Sequence, residues 1–148
     1  MSEAELPEVT TTLVYRLGGL GAIASARFAA AVEPLGIRPK HVALMAVLSA
    51  GAAASQLELA QTLGVVASVV VGLTDRLEAL GAVERLRDPD DRRRHRLSLT
   101  PAGRTLLASC TAAATALDAE LTASLSPAEA QSLHRAVGVL ASETGLPA

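Results

Sequence analysis

Residues 55–103 decide the fold, and they read SQLELAQTLGVVASVVVGLTDRLEALGAVERLRDPDDRRRHRLSLTPAG. Ser55 and Glu58 have the spacing of a capping box, in which each side chain bonds the other residue's backbone, so a short helix is predicted to begin there. Gly64 predicts a tight turn, because glycine adopts left-handed backbone conformations without strain. A second short helix is predicted over residues 67–80.

The segment that follows changes from helical to alternating patterning. Residues 83–87 and 94–99 alternate between apolar and polar side chains, as half-buried strands do. Residues 88–91 read DPDD, which favours a turn because proline fixes φ and aspartate bonds nearby backbone amides. The sequence therefore predicts a β-hairpin directly after two short helices, which is the layout of a winged helix-turn-helix.

Helices rich in Ala and Leu are predicted on both sides of this unit. Apolar side chains at three- and four-residue steps predict one helix over about residues 9–33 and another over about 39–50. Beyond the hairpin, a helix is predicted over about 101–125 and a last one over about 127–145. The predicted fold class is mainly α with a small β-hairpin.

The composition narrows the class of protein. Half of the 148 residues are apolar, 1% are aromatic, and Ala and Leu together make up more than a third. This excludes a disordered acidic chain, and no uncharged apolar run reaches the roughly 20 residues of a membrane span. Because the N-terminus is acidic, unlike a secretory signal, we expect a cytoplasmic protein without membrane association. Alanine buries little area, so we expect the helices to complete their burial in a dimer.

The net charge of −2 hides a strongly basic segment. Eight of the 13 basic residues lie between Arg76 and Arg104, all eight are arginine, and residues 92–104 contain no acidic residue. A local positive stripe of this kind is what the DNA phosphate backbone requires. Arginine also suits phosphates and narrow minor grooves better than lysine does.

The second helix of the pair is predicted to turn one face to the core and the other to DNA. The predicted core face consists of Val70, Leu73, Leu77 and Leu80. The predicted DNA contacts of this helix are Ala67, Ser68, Val69, Val71 and Arg76. Valine can meet thymine methyl groups but donates nothing to guanine or adenine, and only Ser68 and Thr74 offer short polar groups. We therefore expect weak direct base readout, with much of the affinity coming from the hairpin and from phosphates.

These features together resemble the MarR family of bacterial transcription regulators. The matching residues are Leu59-Ala60, Leu63-Gly64-Val65, Asp75-Arg76-Leu77-Glu78 with Gly81, Glu84-Arg85, the run Asp88-Pro89-Asp90-Asp91-Arg92-Arg93, Leu97-Ser98-Leu99-Thr100 and Gly103. The resemblance implies a homodimer whose wings enter the minor groove and whose recognition helices enter the major groove of a pseudo-palindromic site. It also implies an N-terminal dimerisation helix (1–36), a DNA-binding lobe (37–100) and C-terminal dimerisation helices (101–148).

The resemblance also assigns roles to residues of the hairpin, hereafter the wing (residues 83–99). Arg93 resembles the arginine at the wing tip, and Asp91 resembles its orienting partner. The wing residues predicted to contact DNA are Arg85, Arg87, Arg92, Arg93, Arg94 and Arg96, with Asp88 and Asp91 orienting them. An effector pocket is implied on the first two helices, where the candidates are Tyr15, Arg16, Phe28 and His41. The expected effector is small and aromatic or anionic.

The leading hypothesis is a homodimeric DNA-binding regulator, more often a repressor, released from double-stranded DNA by a small molecule. The alternative is a small-molecule or protein-binding module on the same fold whose sequence-specific DNA binding has weakened. No nucleophile–base pair, metal-ligand spacing or phosphate loop is visible, so we predict neither an enzyme nor a cofactor or metal site. Cys110 stands alone, which leaves a small core residue or a redox sensor as its interpretation.

Overall fold

The computed structural model describes residues 8–51 and 54–145. Its helices and strands are, in chain order, α1 (Leu13–Val32), α2 (Pro39–Ala50), α3 (Gln56–Leu63), α4 (Ala67–Ala79), β1 (Val83–Arg87), β2 (His95–Leu99), α5 (Pro101–Leu121) and α6 (Pro127–Glu143). Short 3-10 turns at Val9–Thr11 and Glu33–Leu35 flank α1. The predicted class, mainly α with a small hairpin, is confirmed.

The chain divides into two compact units, residues 1–114 and 115–148, and the division falls inside α5. The first unit has one hydrophobic core, made of Val32, Ile37, Leu44, Met45, Leu48, Leu59, Ala60, Val70, Leu73, Leu77, Ala82, Val83, Leu97, Leu99 and Cys110. These side chains come from α1, α2, α3, α4, both strands and α5. One shared core therefore fixes α3, α4 and the hairpin relative to one another.

The two strands form an antiparallel hairpin whose register pairs Val83 with Leu99 and Arg87 with His95. Ala54 extends this sheet by one residue, because it exchanges both backbone hydrogen bonds with Leu97 at 2.8 and 3.2 Å. Thr100 fastens the end of the hairpin, since its hydroxyl donates to the Gly81 carbonyl at 2.6 Å. The base of the wing is therefore anchored to the core from both sides.

Four local predictions need correction. The helix predicted from about residue 9 begins at Leu13 instead, and Val9–Thr11 form a 3-10 turn, because Thr12 is extended and its side chain accepts from the Tyr15 amide. The helix predicted to reach residue 125 ends at Leu121, where Thr122 donates its hydroxyl to the Asp118 carbonyl. β2 begins at His95 rather than Arg94, because the Arg94 amide donates to Asp91 within the turn.

The fourth correction concerns the faces of α4. Leu80, predicted in the core, follows the last residue of the helix and is 38% exposed. Thr74, considered as a polar group for base contacts, is fully buried instead. The buried residues of α4 are Val70, Leu73, Thr74 and Leu77. Three of the four predicted core residues are therefore confirmed, and Thr74 takes the place of Leu80.

Within the described residues, no single helix combines the length and the apolar content of a membrane span. Two pairs of helices joined by sharp bends, α1 with α2 and α3 with α4, meet that test only by length and composition and only when each pair is taken together. Among the residues that the structure describes, no group of three or more His, Cys, Asp or Glu side chains could hold a metal ion.

Candidate nucleic-acid interface

The joint between α3 and α4 is built around Gly64. This residue has φ of 63°, in the left-handed region that glycine adopts without strain. The Val65 amide donates to the Ala60 carbonyl at 3.0 Å, so the chain reverses directly after α3. The reciprocal hydrogen bonds of Ser55 and Glu58 fix the other end of α3. The predicted helix-turn-helix is thus present, with both of its local signals in place.

The outward face of α4 is short of polar groups. Of the predicted contacts on this helix, Ala67, Ser68, Val71 and Arg76 are exposed, whereas Val69 is half-buried and packs against the core. Val66 precedes the first turn and gives it no side-chain cap. Because a valine cannot bond the free amides of the first turn, these amides remain open to an external acceptor such as a phosphate.

The wing turn is held by aspartate side chains. Asp88 accepts from the Asp90 amide at 2.9 Å, and Asp91 accepts from the Arg93 amide at 3.0 Å. The Asp88 amide also donates to the Arg94 carbonyl at 3.0 Å and closes the turn. These bonds place Arg92 and Arg93 at the tip of the hairpin, with both side chains exposed.

The wing arginines fall into two groups. The Nε atom of Arg94 lies 3.5 Å from an Asp91 carboxylate oxygen, and that of Arg96 lies 3.7 Å from an Asp88 carboxylate oxygen. These two arginines therefore form ion pairs with aspartates of the turn. Arg87, Arg92 and Arg93 are exposed and form no ion pair within the described part of the chain. The second group keeps its whole charge available to solvent or to a polyanion.

Two other predicted DNA contacts are tied to the protein itself. Arg85 pairs with Asp75 of α4 at 2.7 Å and with Glu78 at 3.2 Å. Arg76 donates from Nε to the Gly36 carbonyl at 2.9 Å, which joins α4 to the loop after α1. Both side chains are partly exposed, yet each already has a partner that fixes its direction.

Arg38 and Lys40 are candidate DNA contacts that the sequence analysis missed. Together with Ser68 and Gly72 of α4 they line an open cleft of about 640 Å³, so two cations stand beside the outward face of that helix. They flank Pro39 at the positive end of the α2 dipole, where cations disfavour folding. Cations at a helix N-terminus are the local signal that could have marked these two residues.

A second cleft, of about 740 Å³, opens beside the first. It is lined by Ala29, Ala30, Glu33, Gly36, Ile37, Arg38, Pro39, His41 and Arg76. His41 lines both clefts, is 8% exposed, and accepts from the Arg38 amide through Nδ1 at 2.9 Å. Burial lowers the pKa of His41, and the positive charges of Arg38 and Arg76 act in the same direction. The neutral ring therefore carries its proton on Nε2, which is a free donor.

The four candidate effector residues are not brought together within one chain. His41 lines the clefts, and Phe28 is half-buried against the core. Tyr15 is 55% exposed near the start of α1, and Arg16 follows it. With a rise of 1.5 Å per residue, Tyr15 lies about 20 Å along α1 from the cleft residue Ala29.

Cys110 lies in the core of the first unit and is fully buried. Burial raises the pKa of its thiol, which disfavours the reactive thiolate. These two observations favour the interpretation of Cys110 as a small core residue over that of a redox sensor.

Comparison with known proteins identifies the family. A model of the MarR family matches residues 35–94, which include α2, the helix-turn-helix and the wing turn. The structure of the transcriptional repressor CouR bound to a 23-mer DNA duplex is 31% identical to this chain, covers 95% of it and 99% of its own length, and has a TM-score of 0.75. The chain belongs to the MarR family of transcriptional regulators.

Two further solved structures share the fold of this MarR-family regulator. A mutant MarR from E. coli is 24% identical, with a TM-score of 0.80 over 90% of this chain and 98% of its own. CouR from Rhodococcus jostii RHA1, bound to p-coumaroyl-CoA, is 24% identical, with a TM-score of 0.71 over 92% and 96%. The curated protein sequences contain no match.

Proposed function

We propose that this MarR-family protein represses transcription as a homodimer on a pseudo-palindromic operator and that a small-molecule effector releases it. A protein with this function works in the cytoplasm, where the bacterial chromosome lies. The observation that carries the proposal is the unpaired arginine group at the wing, Arg87, Arg92 and Arg93, on the same compact unit as the outward face of α4.

DNA contact is supported by the way that the free and the tied charges are divided. Arg94 and Arg96 pair with aspartates of the wing turn, whereas Arg92 and Arg93 at the tip stay free despite three aspartates in the same turn. Each free arginine can neutralise a phosphate and release a counterion, which is the main sequence-independent source of DNA affinity. Arg38 and Lys40 line a cleft with Ser68 and Gly72 of α4, so the same unit holds further positive charge beside that helix.

Dimerisation is supported by apolar side chains that the single chain leaves uncovered. On α1 the large exposed apolar residues are Leu13, Val14, Tyr15, Leu17, Leu20 and Ile23, and Val32 alone of this helix is buried. On α6 none of the residues is buried, and Leu133, Val137, Val139 and Leu140 are between 45 and 54% exposed. Exposure on this scale marks an interaction surface, and we propose that a second copy of the chain covers both helices.

Effector release is supported by the donors around the cleft of 740 Å³. Arg38, the Nε2 of His41 and the free guanidinium nitrogens of Arg76 present hydrogen-bond donors, and Glu33 is the acidic group in the lining. An anionic ligand there would compete with the Gly36 carbonyl for Arg76. Because Arg76 belongs to α4, such a ligand would favour a position of α4 without the Arg76–Gly36 hydrogen bond over the position with it.

The test is binding to the DNA upstream of the protein's own gene, measured by fluorescence anisotropy with light scattering to give the molecular mass. We expect one dimer to bind one duplex with an affinity that falls steeply as salt rises. A folded dimer that fails to bind any duplex at low salt would overturn the proposal.

A second candidate function is favoured by the apolar outer face of α4. In this alternative the protein captures a small molecule or a protein partner, and its sequence-specific DNA binding has weakened. It predicts equal affinity for the upstream DNA and for a scrambled duplex of the same composition. Clear preference for the upstream DNA would exclude this function.

A further inference from the structure

The outward face of α4 is apolar where a DNA-reading helix would need donors and acceptors. Val66 is 66% exposed and Val71 is 38% exposed. Ala67 adds a methyl group, and a Cβ added at Gly72 would meet no described atom within 4 Å beyond its chain neighbours and the helix backbone. These four exposed residues, hereafter the valine face, give the start and the first two turns of the helix an apolar outer surface.

The polar residues of α4 cannot supply what the valine face lacks. Thr74 is buried, and its hydroxyl has no hydrogen-bond partner among the described residues. Asp75 pairs with Arg85 at 2.7 Å, and Arg76 is directed to the Gly36 carbonyl at 2.9 Å. Ser68 is left as the exposed hydroxyl of the first two turns.

Charge around the valine face identifies its partner as a polyanion. Arg38 and Lys40 share a cleft with Ser68 and Gly72, so two cations lie beside the valine face at Gly72. The wing of the same unit supplies further unpaired arginines. A protein partner with only an apolar patch would leave these cations unpaired, whereas a DNA duplex presents phosphates on both sides of each groove.

We infer that the valine face reads the C5-methyl groups of thymine in the major groove. This inference rests on the proposed DNA binding and adds what is recognised. Thymine carries the one apolar group on the major-groove edge of the four base pairs. When the valine face packs on the major-groove edge of guanine, cytosine or adenine, a donor or acceptor of that base loses water and gains no partner. These three bases are therefore disfavoured at those positions.

Recognition of a C5-methyl group also predicts how the protein responds to methylated cytosine. The methyl group of 5-methylcytosine occupies the C5 position, as in thymine, while cytosine has only hydrogen there. Because the valine face recognises the methyl group and not the donors and acceptors of the base, it should bind 5-methylcytosine better than cytosine at a thymine position.

The experiment replaces thymidine by deoxyuridine, one position at a time, in the duplex that the protein binds upstream of its gene. Uracil pairs as thymine does and lacks only the methyl group. We expect about a fourfold loss of affinity at one or two positions in each half-site, which is the effect of exposing one methyl-sized group, and unchanged affinity elsewhere. 5-Methylcytosine at those positions should bind more tightly than cytosine.

Protein variants assign the effect to the valine face. Val71→Ala should lower the affinity for the thymine duplex and abolish the uracil penalty at one position, because the thymine methyl group then has no apolar side chain to pack against. Ser68→Ala is the matched control on the same turn, and it should keep the uracil penalty whatever its effect on overall affinity.

The outcomes separate this inference from the function on which it rests. Binding that is unchanged by deoxyuridine at every position overturns the methyl reading and leaves DNA binding standing. A full uracil penalty in Val71→Ala overturns the role of that residue. Failure of the wild-type dimer to bind any duplex overturns the proposed function itself.

Discussion

Arg85 on the first wing strand donates to Asp75 on α4 at 2.7 Å and contacts Glu78 of the same helix at 3.2 Å. This relationship fastens the wing to the recognition helix through side chains, in addition to their shared core. It also means that two carboxylates already balance the charge of Arg85, in contrast to the free arginines of the wing tip. The wing arginines therefore differ in what they can offer to DNA.

The first prediction follows from this difference. Arg93→Ala should weaken DNA binding about tenfold, because it removes a free charge that bonds a phosphate. Arg85→Ala should weaken it less and should lower the free energy of unfolding by less than about 1 kcal/mol, since the ion pair is half-exposed. Anisotropy titrations with one duplex compare the two variants. A larger effect of Arg85→Ala would contradict the division of roles.

Gly103 and Gly72 provide a matched pair for stability. A Cβ at Gly103 would overlap the Ala82 carbonyl oxygen and approach Leu99, so Gly103→Ala should lower the free energy of unfolding by about 1–3 kcal/mol or more. Gly72 stands in mid-helix with open space around it, so Gly72→Ala should raise stability by up to about 1 kcal/mol. Urea unfolding at one protein concentration measures both. Equal effects of the two substitutions would refute the close approach at Gly103.

Acid should destabilise the protein through His41. Burial lowers the pKa of this imidazole from its ordinary value of about 6.5. Between the lowered value and 6.5 the unfolded chain binds a proton that the folded chain does not, so stability falls as the pH drops below 6.5 and is regained above it. His41→Gln keeps an acceptor for the Arg38 amide, and it should lose less stability than the wild type between about pH 7.5 and about pH 5.

The control for this pH effect is His95→Gln, since His95 is exposed on the wing. This variant removes an exposed imidazole and leaves His41 in place, so it should still lose stability on acidification. If His41→Gln and the wild type lose the same stability on acidification, His41 is not the group that titrates.

Cys110 should be inert while the protein is folded. Its side chain is fully buried and the pKa of its thiol is raised, so both access and thiolate formation are disfavoured. A chromogenic thiol reagent should react slowly in native buffer and rapidly in denaturant, with Cys110→Ala as the blank. Rapid reaction of the native protein, with a parallel decrease in DNA binding, would restore the interpretation of Cys110 as a redox sensor.

Local signals predicted most of the fold because their physics lies within a few residues. The capping pairs Ser55–Glu58 and Ser126–Glu129 form the expected reciprocal hydrogen bonds, and Gly64 and Gly81 have positive φ. The wing turn is also local, because the Asp88 and Asp91 side chains accept from backbone amides two residues further on. Where local signals compete, the predicted helix start was wrong by a few residues. The Thr12 side chain accepts a hydrogen bond from the Tyr15 amide, so α1 begins at Leu13, later than the apolar periodicity indicates.

The site was less predictable, because it depends on contacts between distant residues. No spacing in the sequence indicates that Arg76 bonds the Gly36 carbonyl, 40 positions earlier, or that Lys40 lines a cleft with Ser68. Composition identified the basic segment correctly, yet it could not separate arginines with a carboxylate partner from free ones. That separation needs the register of the wing and the placement of α4.

The free arginines at the wing tip are the proposed binding groups for DNA phosphates. This role is tested most directly by the salt dependence of DNA affinity from about 50 to about 200 mM for the wild type, the double variant Arg92→Ala/Arg93→Ala, and the control Arg135→Ala on α6. We predict that the double variant flattens the slope of log K against log salt by about one for every phosphate that the two arginines neutralise, while the control keeps the slope of the wild type. Identical slopes for the wild type and the double variant would show that these arginines do not bind DNA.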